Sequence, residues 1–152
     1  MQITSILAAL LLASPAIVTA APVTSDNSIS VANDVFARYE NTCNPQFSTD
    51  PKKRAEQKAA EQRMKDLTKE YKAAEARCPK NALADFDKKS TNKQFKEKWK
   101  KNCTEGYTEC AAKREAANKA CVASGGKTDP GHANAVKFCK AQAAIWRKKV
   151  VK

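Results

Sequence analysis

Cysteine is the residue type in this 152-residue chain that is best placed to do chemistry. The six cysteines are Cys43, Cys78, Cys103, Cys110, Cys121 and Cys139. An even number of cysteines in a small chain is typical of a disulfide framework, here with 15 pairings possible in principle. A metal site is the competing interpretation, but no C-x-x-C spacing occurs and the single histidine, His132, lies in a Pro-Gly turn. We therefore expect three disulfides, no bound metal and no cofactor.

The composition argues against catalysis. The chain has one histidine and four glycines, whereas proton-transfer pairs, histidine metal sites and glycine-lined phosphate loops all draw on these residue types. His132 is followed by Ala133, so the His-Asp pair of secreted phospholipases is missing. A length of 152 residues allows one small domain. We expect no enzymatic activity, and the sequence offers no catalytic residue.

The beginning of the chain predicts export from the cell. Residues 1–20 contain no charged side chain and carry an apolar run over 6–13. This run is too short to span a bilayer but is typical of the core of a signal peptide. No later segment is long and apolar enough to span a membrane.

A small-residue cleavage site follows the apolar run. Val18 and Ala20 occupy its two defining positions, so the mature chain would begin at Ala21. We expect a flexible segment over 21–29 and a single domain over 30–152. The protein would be secreted, extracellular and monomeric.

The apolar residues repeat with helical rather than alternating spacing, and no strand pattern occurs. The sequence therefore predicts an all-α fold, a small disulfide-stapled bundle of about four helices, three of them long. The long helices are expected to begin at Asp50-Pro51, at Ser90 or Thr91, and at Asp129-Pro130. Ser, Thr and Asp cap helix N-termini, and proline favours the first helical position.

The ends of these helices are marked by breaker residues. The first long helix is expected to stop at Arg77, the second at Gly125-Gly126, and the third carries its apolar stripe as far as Val150. Gly106 lies inside the second long helix and would mark a kink. Shorter helical segments are expected over 30–42 and 81–89, the former with an apolar stripe of Val31, Val35, Phe36 and Tyr39.

Helical geometry restricts the disulfide pairing. At about 100° per residue, Cys103, Cys110 and Cys121 lie on one face of the same helix. They cannot bond to one another, because seven residues of helix span about 10.5 Å and a disulfide needs Cα atoms within about 7 Å. Each must therefore bond to Cys43, Cys78 or Cys139, which reduces 15 pairings to six.

Antiparallel packing of neighbouring long helices favours one set of pairs, namely Cys43–Cys121, Cys78–Cys103 and Cys110–Cys139. The combination of Cys43–Cys110 with Cys121–Cys139 stays open. Three such bonds, at roughly 2–4 kcal/mol each, would offset a core that is rich in alanine and poor in larger apolar side chains.

Two short segments carry the excess charge of the chain. The formal net charge is +12, and segments 88–101 and 137–152 each contribute +6, which leaves the rest neutral. Each segment holds one of the two tryptophans, Trp99 and Trp146. Antiparallel helices would bring both segments to one end of the bundle and form a basic pole there.

The residues expected at this basic pole are Lys93, Lys96, Trp99, Lys100, Lys101, Trp146, Arg147, Lys148 and Lys149. Trp146 also lies on the apolar stripe of its helix, so a place in the core is the alternative. A cationic surface beside aromatic side chains suits anionic lipid, cell-wall polyanion or nucleic acid. Lysine outnumbers arginine 22 to 6, which argues against sequence-specific nucleic-acid binding. Asn102 begins an Asn-Cys-Thr glycosylation sequon, whose occupancy an early disulfide at Cys103 would lower.

The organisation of the chain resembles that of the small secreted cysteine-rich proteins of filamentous fungi, many of which act as effectors on a plant or another host. The resemblance rests on the signal peptide, a mature chain of 132 residues, six cysteines and the lack of an enzymatic motif. It implies an effector- or virulence-type protein that binds a host or environmental component, either a host protein or an anionic cell-wall or membrane surface, through the basic pole. The alternative is a cationic antimicrobial protein that acts on anionic membranes.

Overall fold

The computed structural model describes residues 43–152 and shows an all-α bundle, as predicted. Its helices are α1 (Pro51–Ala76), α2 (Ala82–Phe86), α3 (Lys93–Ala123) and α4 (Pro130–Lys148). No strand occurs in this part of the chain. The predicted signal peptide, the segment over 21–29 and the helix over 30–42 lie outside the described residues.

Two of the three long helices begin where their local sequence predicts. The Asp50 side chain accepts hydrogen bonds from the backbone N–H groups of Lys52 and Lys53, and proline follows as the first residue of α1. Asp129 caps α4 in the same way by accepting from the backbone of His132, whose ring Nδ1 faces the Asp129 backbone N–H at 3.2 Å. The single histidine therefore forms part of a helix cap.

Three predicted boundaries are wrong. The N-cap of α3 is Asn92 rather than Ser90 or Thr91, because the Thr91 hydroxyl instead donates to the backbone carbonyl of Asp85 at 2.7 Å. The short helix α2 covers five residues, fewer than the predicted 81–89. Helix α4 ends at Lys148, so Val150 lies beyond it and is 69% exposed.

Helix α3 is central, because α1 and α4 both pack along it. Two disulfides show that α1 runs antiparallel to α3: Cys78 follows the end of α1 and bonds to Cys103 early in α3, while Cys43 precedes α1 and bonds to Cys121 near its end. Helix α4 is antiparallel as well, because Lys140 donates to Glu115 whereas Arg147, further along α4, donates to Thr108, which is earlier in α3. The third bond joins Cys110 in the middle of α3 to Cys139 of α4. These are the pairs that antiparallel packing favours, and no cysteine is free.

The core is divided into two clusters in which alanine and cysteine outnumber larger side chains. The first contains Leu67, Tyr71, Ala74, Cys110, Ala111, Ala117, Ala120 and Cys139. The second contains Cys78, Ala82, Phe86, Cys103 and Trp146. Tyr107 packs against both clusters, and its burial raises the pKa of the phenol to about 12. Because alanine and cysteine bury little area, cross-links supplement the hydrophobic stabilisation.

Gly106 marks a close helix contact rather than a break in α3. Helix α3 continues through it from Lys93 to Ala123. A Cβ atom built on Gly106 would lie 2.4 Å from the backbone oxygen of Ala74, a separation that real side chains do not tolerate. The absence of a side chain therefore lets α1 approach α3 at this level. At the end of α3, Gly125 adopts a φ of 87° and supplies the left-handed residue that the Gly-Gly pair predicts.

We expect a double digest of the non-reduced protein to release one linked peptide pair for each of the three bonds. Trypsin alone is insufficient because no Lys or Arg separates Cys103 from Cys110, so a glutamyl endopeptidase must also cut at Glu105 or Glu109. Mass spectrometry before and after reduction identifies the partners. Recovery of Cys43 linked to Cys110, with Cys121 linked to Cys139, would establish the other pairing.

Substitution of Gly106→Ala should destabilise the protein although alanine is the better helix former by about 1 kcal/mol. The added methyl would force α1 and α3 apart at Ala74. We expect the free energy of unfolding to fall by about 1–3 kcal/mol, the usual range for overpacking, in urea denaturation followed by far-ultraviolet circular dichroism. The control Lys119→Ala, on the exposed face of α3, should change it by less than about 0.5 kcal/mol. A stabilised Gly106→Ala protein would contradict the close contact.

Candidate functional site

The two basic segments adjoin at one end of the bundle, where both meet the ring of Phe86 in α2. The Nζ atom of Lys96, from the first segment, lies 5.8 Å from the ring centroid. The Nζ atom of Lys149, from the second, lies 5.4 Å from the same centroid. A buried aromatic ring thus holds one ammonium group from each segment by cation–π attraction. The short helix α2 is therefore the element that joins the two halves of the basic pole.

A shallow cleft beside this contact is shared by the same two segments. It has a volume of about 390 Å³, and its lining contains three basic side chains and two acidic ones: Lys100, Lys101, Arg147, Glu97 and Glu105. Arg147 also donates to the hydroxyl of Thr108 at 3.0 Å, which ties the end of α4 to α3. The basic pole therefore has a concave part as well as exposed helix ends.

The predicted pole residues differ in exposure. Lys93, Lys101, Arg147 and Lys148 are exposed, whereas Lys96, Trp99, Lys100 and Lys149 are half-buried. Trp146 is only 1% exposed and packs edge-to-face on Phe86, with ring centroids 5.5 Å apart. Its assignment to the binding surface is therefore wrong. Trp146 fixes the end of α4 against the core and so positions the basic residues that follow it.

An aromatic pair on the first turns of α3 is the feature that sequence reasoning missed. Phe95 is 54% exposed, and its ring centroid lies 6.0 Å from that of Trp99. The two residues are four apart and so share a helix face. The part of α3 before Cys103 extends past the end of α1, so α1 does not cover it. The four-residue spacing of Phe95 and Trp99 in this part of α3 is the sequence signal that could have revealed the pair.

Ion pairs reduce the charge of the pole unevenly. Three basic side chains donate to carboxylates outside the basic segments: Lys88 to Asp85, Lys149 to Asp87 and Lys140 to Glu115. The hydrogen bond from Lys140 lowers the pKa of the Glu115 carboxyl. Within residues 43–152, no ion pair joins an acid to Lys93, Lys98, Lys100, Lys101 or Lys148. Lys89, Lys96, Lys137 and Lys152 likewise form no ion pair with an acid of the described chain. The uncompensated charge is therefore densest on the first turns of α3, which carry five of these nine lysines.

The glycosylation sequon lies inside α3, next to the pole. Asn102 is half-buried, and Cys103 is completely buried in its disulfide. The Thr104 hydroxyl oxygen is also buried and has no hydrogen-bond partner among the described residues. Since the hydroxyl of a sequon must be reached by the transferase, the folded protein is a poor acceptor, and a glycan would have to be added before the disulfide closes.

No cluster of three metal-ligating side chains occurs among residues 43–152. None of the helices described there is long and apolar enough to cross a membrane. No protein-family model matches the chain, and neither a characterised protein nor a solved structure matches it significantly. The arrangement of the chain's own side chains therefore carries the functional argument.

The exposure of the two tryptophans can be measured by fluorescence quenching. We expect iodide to quench Trp99, which is half-buried beside uncompensated lysines that attract the anion, and not Trp146, which is 1% exposed. In the Trp99→Phe protein the remaining emission should be almost insensitive to iodide. The matched Trp146→Phe protein, if folded by circular dichroism, should retain the quenching. Strong quenching of Trp99→Phe would show that Trp146 is accessible.

Proposed function

We propose that the chain is a secreted, non-enzymatic protein of effector type that binds an anionic component of a host or of its environment through the basic pole. The observation that carries this proposal is the meeting of Lys96 and Lys149 on the Phe86 ring, which joins two basic segments into one surface. The predicted signal peptide over 1–20 and the three disulfide bonds support an oxidising, extracellular destination.

The electrostatics of the pole favour an extended anionic partner. Nine lysines of the basic segments form no ion pair with an acid of the described chain, and five of them lie within nine residues of α3. Neighbouring like charges raise the local potential and attract a polyanion or a charged surface over about a Debye length, which is about 8 Å at physiological salt. Lysine ammonium groups act as point charges, so they suit the repeated charges of a cell-wall polymer, a membrane or an acidic host protein.

A role in a host is supported by the organisation of the chain. A short leader, a small all-helical body and three cross-links describe a protein built to persist outside the cell, and they resemble the organisation of fungal effector-type proteins. The target would be a host protein or an anionic host surface that meets the basic pole.

A cationic antimicrobial protein is the second candidate, and one observation favours it. Phe95, which is 54% exposed, pairs with half-buried Trp99 among uncompensated lysines. Aromatic side chains prefer the headgroup region of a bilayer, while lysines are attracted to anionic lipids. This combination would let the beginning of α3 insert into an anionic membrane.

Neutralisation of the pole should weaken binding to anionic probes more than an equal loss of charge elsewhere. The pole variant replaces Lys93, Lys96, Lys100 and Lys101 by glutamine, and the control replaces Lys52, Lys53, Lys58 and Lys119 in the same way. At about 0.4 kcal/mol for each lysine, the affinity for immobilised heparin should fall about fifteenfold in the pole variant. Equal losses in both proteins would mean that net charge, rather than the pole, determines binding.

Vesicles separate the two candidates in the same set of proteins. Vesicles of phosphatidylcholine with phosphatidylserine, loaded with a fluorescent dye, report binding by sedimentation and membrane damage by leakage. Binding without leakage supports the effector-type proposal. Leakage that disappears in a Phe95→Ala, Trp99→Ala protein and at high salt supports the antimicrobial candidate.

A further inference from the structure

A cavity of about 520 Å³ lies at the end of the bundle opposite the basic pole. Its walls come from α1, from the second half of α3 and from the first turn of α4, and both Cys43 and Cys121 line it. Cavities of about 300–1,000 Å³ hold small organic molecules in other proteins. We call it the Arg114 cavity, after the charged side chain in its wall.

One part of the wall is apolar. Met64, Ala117 and Ala135 line the cavity together with the Cys43–Cys121 disulfide. Ala117 and Ala135 are buried, at 7% and 4% exposure, and Met64 packs against the first core cluster. Water beside alkyl groups and sulfur finds few hydrogen-bond partners there, so an aliphatic or aromatic group displaces it favourably.

The other part of the wall carries a fixed positive charge. The guanidinium carbon of Arg114 lies 4.0 Å from the centroid of the Tyr71 ring, and its Nη2 donates to Glu75 at 3.3 Å. The Arg114 side chain is 11% exposed, so it is held between these partners. A guanidinium is always charged and has five N–H donors in one plane, which suits the two oxygens of a carboxylate.

The remaining titratable groups make this cavity cationic. His132 lines it with Nδ1 engaged by Asp129, so Nε2 is the ring atom that can meet a ligand. Lys65 and Lys69 also line the cavity. Lys65 is paired with Glu61 at 2.8 Å and Arg114 with Glu75, whereas Lys69 forms no ion pair with an acid of the described chain and leaves the wall with an excess positive charge. The charge in the wall thus complements an anion, and the apolar part complements a hydrocarbon body.

We propose that the Arg114 cavity binds a small amphipathic carboxylic acid. The carboxylate accepts hydrogen bonds from Arg114, and the aliphatic or aromatic body lies against Met64, Ala117 and Ala135. This site is separate from the basic pole and does not depend on the function proposed for it.

Decanoate and 1-decanol are a matched pair of probes, because they differ only in the head group. In isothermal titration calorimetry of the oxidised mature protein, decanoate should bind at one saturable site and at least tenfold more tightly than decanol. Equal affinity for the two would overturn the role of Arg114, and this comparison requires no substitution in the protein.

Two substitutions locate the site. Arg114→Gln should weaken decanoate binding at least tenfold while leaving that of decanol nearly unchanged. Ala117→Leu adds three carbon atoms to the apolar part of the wall, one helical turn from Arg114, and should abolish both. The pole variant described above should bind decanoate normally. Unchanged binding by Ala117→Leu would place the ligand elsewhere and overturn the proposal, even if Arg114→Gln failed to fold.

The chain's own segment over 30–42 is a competing occupant, because it directly precedes Cys43, which lines the cavity. The sequence of this segment predicts a helix with Val35, Phe36 and Tyr39 on one apolar stripe. The variant Phe36→Asp tests this occupant. If decanoate binds only to Phe36→Asp, the segment fills the cavity in the native protein and the proposal is overturned. If neither protein binds decanoate, the proposal is overturned as well.

Discussion

The cross-linking of one face of α3 is the constraint on which the rest of the structure depends. Cys103, Cys110 and Cys121 project from that face, and each bonds to a cysteine outside α3. The two bonds that flank α1 fix its direction and its level along α3, and the Cys110–Cys139 bond fixes the level of α4. A core made largely of alanine and cysteine could not do this by packing alone, because small side chains interlock weakly and bury little area. Because small side chains fill little space, the backbones of α1 and α3 must approach each other closely, as they do at Ala74 and Gly106.

Both candidate sites follow from where these bonds hold the helices. Because Cys103 is bonded to Cys78 just after the end of α1, the first ten residues of α3 extend beyond α1 for about 15 Å. That extension carries five lysines that form no ion pair within the described chain and the Phe95–Trp99 pair, in which Phe95 is exposed and Trp99 half-buried. At the other end, the Cys43–Cys121 bond borders the Arg114 cavity. The molecule thus separates a charged, aromatic surface from a partly apolar cavity with a buried guanidinium.

Local signals in the sequence predicted the helices well but predicted the contacts between them less well. Asp50 and Asp129 identified two helix starts correctly, since a cap depends on residues within one turn. At the start of α3 the sequence predicted Ser90 or Thr91 as the N-cap. The Thr91 hydroxyl instead donates to the backbone carbonyl of Asp85, a contact that the local sequence does not reveal. At Gly106 the sequence shows the cost of glycine in a helix, which predicts a kink, but it does not show that α1 passes close beside this residue.

The sequence by itself determined the all-α fold, the single face shared by three cysteines and the concentration of charge in two segments, because these properties depend on spacing along one chain. Only the tertiary structure decided which tryptophan is buried. Phe86 packs against Trp146, which is 1% exposed, whereas Trp99 is half-buried beside the exposed ring of Phe95. The tertiary structure also decided which lysines are neutralised, since Asp87 reaches Lys149 across 62 positions of sequence. Burial and charge pairing depend on which helices contact each other and at which level along their axes. The disulfide bonds determine that level.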